Sequence, residues 1–212
     1  MKKIILMVVV ITSVSAKINA QSEKTDNASN FHFGIKGGVN VSNVYDTKGQ
    51  DFVAKAKTGV AIGGFVQIPI GNLIGIQPEI LYSQKGFKGT GTILGSSYSY
   101  KRSTDYLDIP ILLAIKPLEM LTIVAGPQYS FLLSEKNEFQ NTLFTSVQEQ
   151  QFNNDNIRKN ILSFTGGADF NFDKLVIGVR GSWDAQNNAG DGTNNTPRYK
   201  NVWYQATLGY RF

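Results

Sequence analysis

The chain ends on a stretch with a strict period of two. Residues 199–212 read YKNVWYQATLGYRF. Val202, Tyr204, Ala206, Leu208, Tyr210 and Phe212 share one face, and Trp203, Gln205, Thr207, Gly209 and Arg211 share the other. Alternation at every second residue marks a strand whose two faces meet different environments. The apolar face carries no charge and finishes on an aromatic pair. One architecture accounts for such a terminal strand. In a membrane β-barrel the last strand closes the wall, and its aromatic end sits at the lipid–water interface.

Seven earlier stretches alternate in the same way: residues 31–41, 58–70, 73–87, 104–116, 120–133, 160–172 and 175–184. Short turns join three pairs of them, at Gly71-Asn72, at Pro117-Leu118-Glu119 and at Asp173-Lys174, lengths suited to hairpins. The remaining connections, 42–57, 88–103, 134–159 and 185–198, are long and polar. Strict alternation of short and long connections is the pattern of a bacterial outer-membrane barrel with short periplasmic turns and long outer loops. The expectation is an all-β, eight-stranded antiparallel up-and-down transmembrane β-barrel over residues 31–212, with both termini on the periplasmic side.

Charge sharpens this reading. The apolar faces hold no Asp, Glu, Lys or Arg, whereas the opposite faces hold Lys36, Glu79, Lys85, Asp108, Asp169, Arg180, Asp184 and Arg211. A Lys or Arg facing lipid at the midplane costs ~2–4 kcal/mol, so the charged face is assigned to the lumen. With the first strand running outward, Phe31, Phe33, Phe170, Phe172, Tyr210 and Phe212 fall at the periplasmic rim, and Tyr82, Tyr129, Phe131, Trp183 and Tyr204 fall toward the outer rim. These are the two aromatic girdles of a membrane barrel.

The N-terminus reads as a signal peptide. Lys2 and Lys3 precede an apolar run over residues 4–11, followed by Ser13, Ser15 and Ala16. The run is shorter than the ~20 residues a helical span requires. Cleavage is placed after Ala20, with Ala16 as the alternative, and residues 21–30 form a polar tail. The leader also explains the net charge of +5: three of the 21 basic residues are in it, leaving 18 against 16 acidic ones. With no basic run or stripe, nucleic acid is not an expected partner. Charged residues make up only 17% of the chain, below the roughly 25% usual for soluble domains. The absence of cysteine and the single histidine, His32, remove disulfides, thiolate metal sites and most catalytic triads. No catalytic residue, metal site or cofactor is expected.

Four segments, GIKGGVNVS (34–42), QPEILYSQKG (77–86), YLDIPILL (106–113) and AGPQYSFLL (125–133), resemble in order and spacing the PorT-type outer-membrane β-barrel family of Gram-negative bacteria. The resemblance spans residues 31–212. It implies an eight-stranded barrel often labelled a porin family, a label that does not establish a pore, and it brings no secretion role with it.

Two groups of residues are candidates for function. The eight inward charges, four basic and four acidic, suit a structural salt-bridge network, since an unpaired buried charge is costly; an ion path or gate is the functional alternative. Inward glycines, among them Gly34, Gly38, Gly63, Gly167 and Gly209, would either thin the packing around a wet cavity or allow close approach of strands. The second group lies in the third long loop: Phe139, Leu143, Phe144, Val147 and Phe152. These apolar residues would either form a partner surface or pack across a hairpin continuing above the membrane. The function expected is non-enzymatic presentation of outer loops to the envelope or to an unidentified surface partner, with a narrow solute pore as the alternative. The expected contacts are membrane lipid and, through the strand ending at Phe212, the barrel-assembly machinery; the expected state is monomeric.

Overall fold

The computed structural model describes residues 31–45, 53–93, 96–141, 145–150, 158–188 and 199–212. The expected signal peptide and polar tail, residues 1–30, lie outside them. Nine strands are described: β1 (His32–Tyr45), β2 (Val53–Pro69), β3 (Ile74–Ile93), β4 (Ser96–Leu118), β5 (Leu121–Asn141), β6 (Thr145–Gln150), β7 (Asn160–Phe172), β8 (Leu175–Asp184) and β9 (Lys200–Arg211). Eight of them form a closed antiparallel wall. Each pairs with its sequence neighbours, β5 pairs with β7, and β9 returns to β1. The ninth, β6, pairs only with the outer part of β5, from Glu135↔Gln150 to Gln140↔Thr145.

The turns at one end are tight. Ile70 and Gly71 both donate backbone N–H groups to the Ile74 carbonyl, at 2.9 and 3.1 Å. Asp173 takes a left-handed φ of 52° in the β7–β8 hairpin, a conformation that Asp tolerates better than most residues. The other end differs from the sequence reading. Much of the segments 88–103 and 134–159 is strand and not loop: β3 and β4 stay paired to Ile93↔Ser96, and β4 and β5 to Tyr98↔Asn141. Beyond the outer girdle no hydrocarbon faces the wall, and the inward side is a mixture of charged and aromatic groups such as Arg102, Glu135 and Phe87, so no apolar alternation marks these segments.

The wall is built inside out relative to a soluble barrel. Aliphatic side chains point outward and are exposed, for example Ile62 at 61% and Leu208 at 57%, while Asn40, Ser83, Thr122 and Ser163 are fully buried. This face can be stable only in hydrocarbon. Phe31, Phe170, Phe172, Tyr210 and Phe212 ring the short-turn end, and Tyr129, Phe131, Phe164, Trp183 and Tyr204 lie outward toward the hairpin end.

Candidate functional site

The lumen is the polar core of the molecule, and inward positions of all eight wall strands fill it. Toward the short-turn end, Lys36 on β1 pairs with Glu79 on β3. Arg180 on β8 reaches Asp169 on β7 at 2.8 Å and Glu79 at 3.6 Å. Gln77 donates to Glu79 at 2.9 Å and to Asp169 at 3.1 Å. Two cations, two carboxylates and an amide thus close a network across the barrel. Phe65 sits under the Lys36 ammonium at 5.8 Å. A Cβ at Gly34 would come within 2.2 Å of the Phe65 ring, so this glycine makes the room that the ring occupies.

Neutral amides and hydroxyls span the next level. Gln205 donates to Asn40, and Asn40 to Ser83, each at 2.9 Å. Thr165 donates to Gln128 and lies 2.9 Å from Ser182. Above them the Lys85 ammonium binds Asp108 at 2.9 Å and lies 3.7 Å from the Trp203 ring centroid and 4.6 Å from that of Tyr106. A desolvated ammonium against two aromatic faces gains ~2 kcal/mol or more per favourable cation–π contact. Trp203, at 1% exposure, is the largest fully buried side chain.

A third polar level lies beyond the outer girdle. Arg102 on β4 binds Glu135 on β5 at 2.9 Å and donates to the Tyr199 hydroxyl at 2.7 Å. Phe87, Val44 and Tyr199 form an apolar cluster with Tyr100 against it. Burial raises the Tyr100 and Tyr199 hydroxyls above their ordinary pKa. Burial alone would lower Arg102, but Tyr199, Tyr100 and Glu135 hold its guanidinium above its ordinary value.

Six of the eight charges read from the sequence meet in the lumen as two ion-paired groups: Lys36, Glu79, Asp169 and Arg180, and separately Lys85 with Asp108. Asp184 is buried without an ion pair among the described residues. It accepts hydrogen bonds from Ser163 and from the backbone and amide of Asn201. Arg211 is at the short-turn rim, donating to the Asp173 carbonyl at 2.6 Å and to Gln67 at 3.4 Å. The Arg102–Glu135 pair was not anticipated. A register shift where Asp105↔Ser134 gives way to Tyr106↔Leu132 reverses the facing of β5, so extending the alternation beyond Leu133 puts Glu135 on the wrong side.

Of the apolar residues in the third long connection, Phe139 stacks on Tyr98 at 5.6 Å between ring centroids. Val147 is in β6, opposite Glu138. Leu143, Phe144 and Phe152 lie outside the described residues. His32 lines a recess of about 320 Å³ at the short-turn mouth with Gln67, Gln77 and Lys116, and among the described residues no serine, cysteine or carboxylate lines it. Among the described residues no group of three or more His, Asp or Glu is arranged to hold a metal ion.

A closed eight-stranded wall with an aliphatic exterior, aromatic girdles and a charged interior defines an outer-membrane β-barrel, and the cell outer membrane is its location. More particularly, residues 19–187 match the family described as outer membrane protein beta-barrel domain, and the chain belongs to that family. Solved outer-membrane barrels align with the chain. Ail, the attachment invasion locus protein of Yersinia pestis, solved in complex with the heparin analogue sucrose octasulfate, aligns at 15% identity over 86% of this chain and 99% of its own, with a TM-score of 0.50. Neisserial surface protein A aligns at 7% identity over 85% and 97%, with a TM-score of 0.45. OprG from Pseudomonas aeruginosa aligns at 11% identity over 87% and 97%, with a TM-score of 0.41. No curated protein matches the chain.

Proposed function

We propose that this protein is a closed, non-enzymatic barrel that holds long outer hairpins for contact with the envelope or a surface partner. The observation that carries the reading is the filled lumen. Side chains from opposite walls join at successive levels, from Gln77, Glu79 and Arg180 up to Lys85, Trp203 and Arg102. An eight-stranded barrel is just wide enough for side chains to fill. The paired strands beyond the outer girdle, with Tyr98 stacked on Phe139, supply a rigid platform for the residues at the hairpin tips.

The four sequence segments that resemble the PorT type support placing the chain in that branch of the family. We read it as a monomer whose closing strand, ending at Phe212, is the segment taken up by the barrel-assembly machinery. That strand's Phe212 amide donates to the Phe33 carbonyl at 2.8 Å, at the seam with β1.

One observation favours the alternative of a narrow pore. Arg180 Nε, Asn171 Oδ1, Thr104 Oγ1 and Glu135 Oε2 are buried without a hydrogen-bond partner among the described residues, and solvent in the lumen would satisfy them. Single-channel recording of detergent-refolded protein in planar bilayers, with heat-modifiable gel mobility as the folding control, separates the two. Folded protein without conductance is the expected result. Stable openings would move the function into the lumen, and Arg180→Glu should then alter ion selectivity.

A further inference from the structure

Lysines cluster on the outward wall just beyond the outer girdle. In the paired extension of β2 to β5, Lys55 is directly opposite Lys88, Lys88 is opposite Lys101, and Lys101 is opposite Glu138. Their facing is fixed by their neighbours. Phe87 and Arg102, one residue away, point inward, and Lys55 and Lys88 are exposed. Like charges directly opposite on adjacent strands repel, so this register stores a cost unless something anionic lies against it.

Among the described residues the row is only partly neutralised, by Glu138 and by Asp105, which lines the same recess. Lys101 and Lys136 share one carboxylate, Glu138, at 3.0 and 3.5 Å. Asp105 accepts instead from Gln84 and Ser134, at 3.1 and 2.7 Å. Lys55 and Lys88 have no acidic partner among the described residues. Two adjoining recesses of about 520 and 330 Å³ open on this wall, sharing Lys88, Lys101 and Glu138 and lined also by Lys57, at the β-bulge of β2, and by Lys136 and Lys55.

The height of the row indicates what faces it. Lys88 is six residues beyond Tyr82 on β3, and Lys101 six beyond Leu107 on β4. At ~3.3 Å per residue that is ~20 Å along the strand, or ~14 Å of height for strands tilted by ~45°. An outward side chain at that height meets the polar headgroups of the outer leaflet, which in a Gram-negative outer membrane are the phosphorylated and acidic sugars of lipopolysaccharide.

We propose that the outward face of β2 to β5, centred on Lys55, Lys88 and Lys101, is a binding site for the phosphate-bearing headgroup of outer-leaflet lipopolysaccharide. The inference rests on the membrane orientation but not on whether the lumen is closed. Each lysine near an anionic surface contributes a factor of roughly five in affinity, so loss of three should weaken binding by about a hundredfold if all three contribute fully, and by about tenfold or more if they contribute in part.

The test uses detergent-refolded full-length protein, with rough lipopolysaccharide, enzymatically dephosphorylated lipopolysaccharide and inorganic phosphate as probes, read by native mass spectrometry. The expected result is a preference of about tenfold or more for the phosphorylated glycolipid, falling with added salt. Lys55→Gln/Lys88→Gln/Lys101→Gln should abolish the preference, and the periplasmic-side pair Lys116→Gln/Lys174→Gln should keep it. Equal binding of both glycolipids by unmodified protein would overturn the proposal without reference to any variant. So would a triple variant that keeps the preference. Displacement of the glycolipid by millimolar inorganic phosphate would identify a free-anion site and overturn the assignment to lipid. Conductance by the same preparation would bear on the proposed function alone.

Discussion

Arg180→Ala lowers the stability of the folded barrel by about 3–5 kcal/mol, the range for breaking a buried ion pair from one side. Arg180 is the ion-pair partner of Asp169 and the second cation near Glu79. Without it Asp169 keeps, among the described residues, the Gln77 amide at 3.1 Å as its hydrogen-bond partner, and a buried carboxylate loses its ion pair. Glu79 fares better, because Lys36 remains. The double variant Arg180→Ala/Asp169→Asn therefore recovers part of the loss, although it removes more of the network. Urea titration of refolded protein in lipid vesicles, followed by tryptophan fluorescence and gel mobility, measures both. A double variant no more stable than Arg180→Ala would show that the network does not depend on pairing of these two charges.

The second large effect separates two neighbours in sequence. A Cβ at Gly38 would lie 1.9 Å from the Ala206 carbonyl oxygen and 2.7 Å from the Thr207 Cα, both backbone atoms of β9. A Cβ at Gly37 meets nothing closer than 3.9 Å. Gly38→Ala must push β1 away from β9, with an overpacking cost of about 3 kcal/mol. Gly37→Ala stays within about 0.5 kcal/mol of the parent protein, as expected of a surface site. The same vesicle titration ranks them, and similar stabilities for the two variants would refute the close-approach account. The result also decides between the two uses of inward glycine. Gly63, Gly126 and Gly167 likewise have a carbonyl oxygen within 2.2 Å of an ideal Cβ, so these glycines admit neighbouring backbone and do not widen the lumen.

The part of the fold inside the membrane was legible because lipid imposes one rule on every strand. Ile62, Ile111 and Leu208 face outward and Glu79, Asp108 and Arg180 inward because hydrocarbon accepts the first group and rejects the second. Beyond the girdle that rule lapses. The outer strands lie beyond the hydrocarbon, and they carry Lys88, Lys101 and Lys136 outward with Tyr100 and Arg102 inward, a mixture without an apolar period that reads as loop. The lumen residues were legible as a set but not as partners. Alternation places Asp184 and Asp169 on the same face, but not that one meets Asn201 and the other Arg180. Partner choice depends on register between strands, and the reversal that turns Glu135 inward comes from one extra residue in β5.

The seam between β1 and β9 has a consequence for how the molecule is made. It joins the two ends of the barrel: Gly38 pairs with Thr207 and Gly34 with Arg211. Every other backbone pairing between wall strands is a hairpin or a sequential pair that can form as soon as its two strands exist. The seam cannot form until β9 has been synthesised and exported, and its closure entropy is that of a loop running through every strand from β1 to β9. Until then both edge strands present unpaired backbone groups. The nascent protein is therefore an open sheet for the whole of its transit, dependent on whatever shields those edges, and becomes self-sufficient in a single last step.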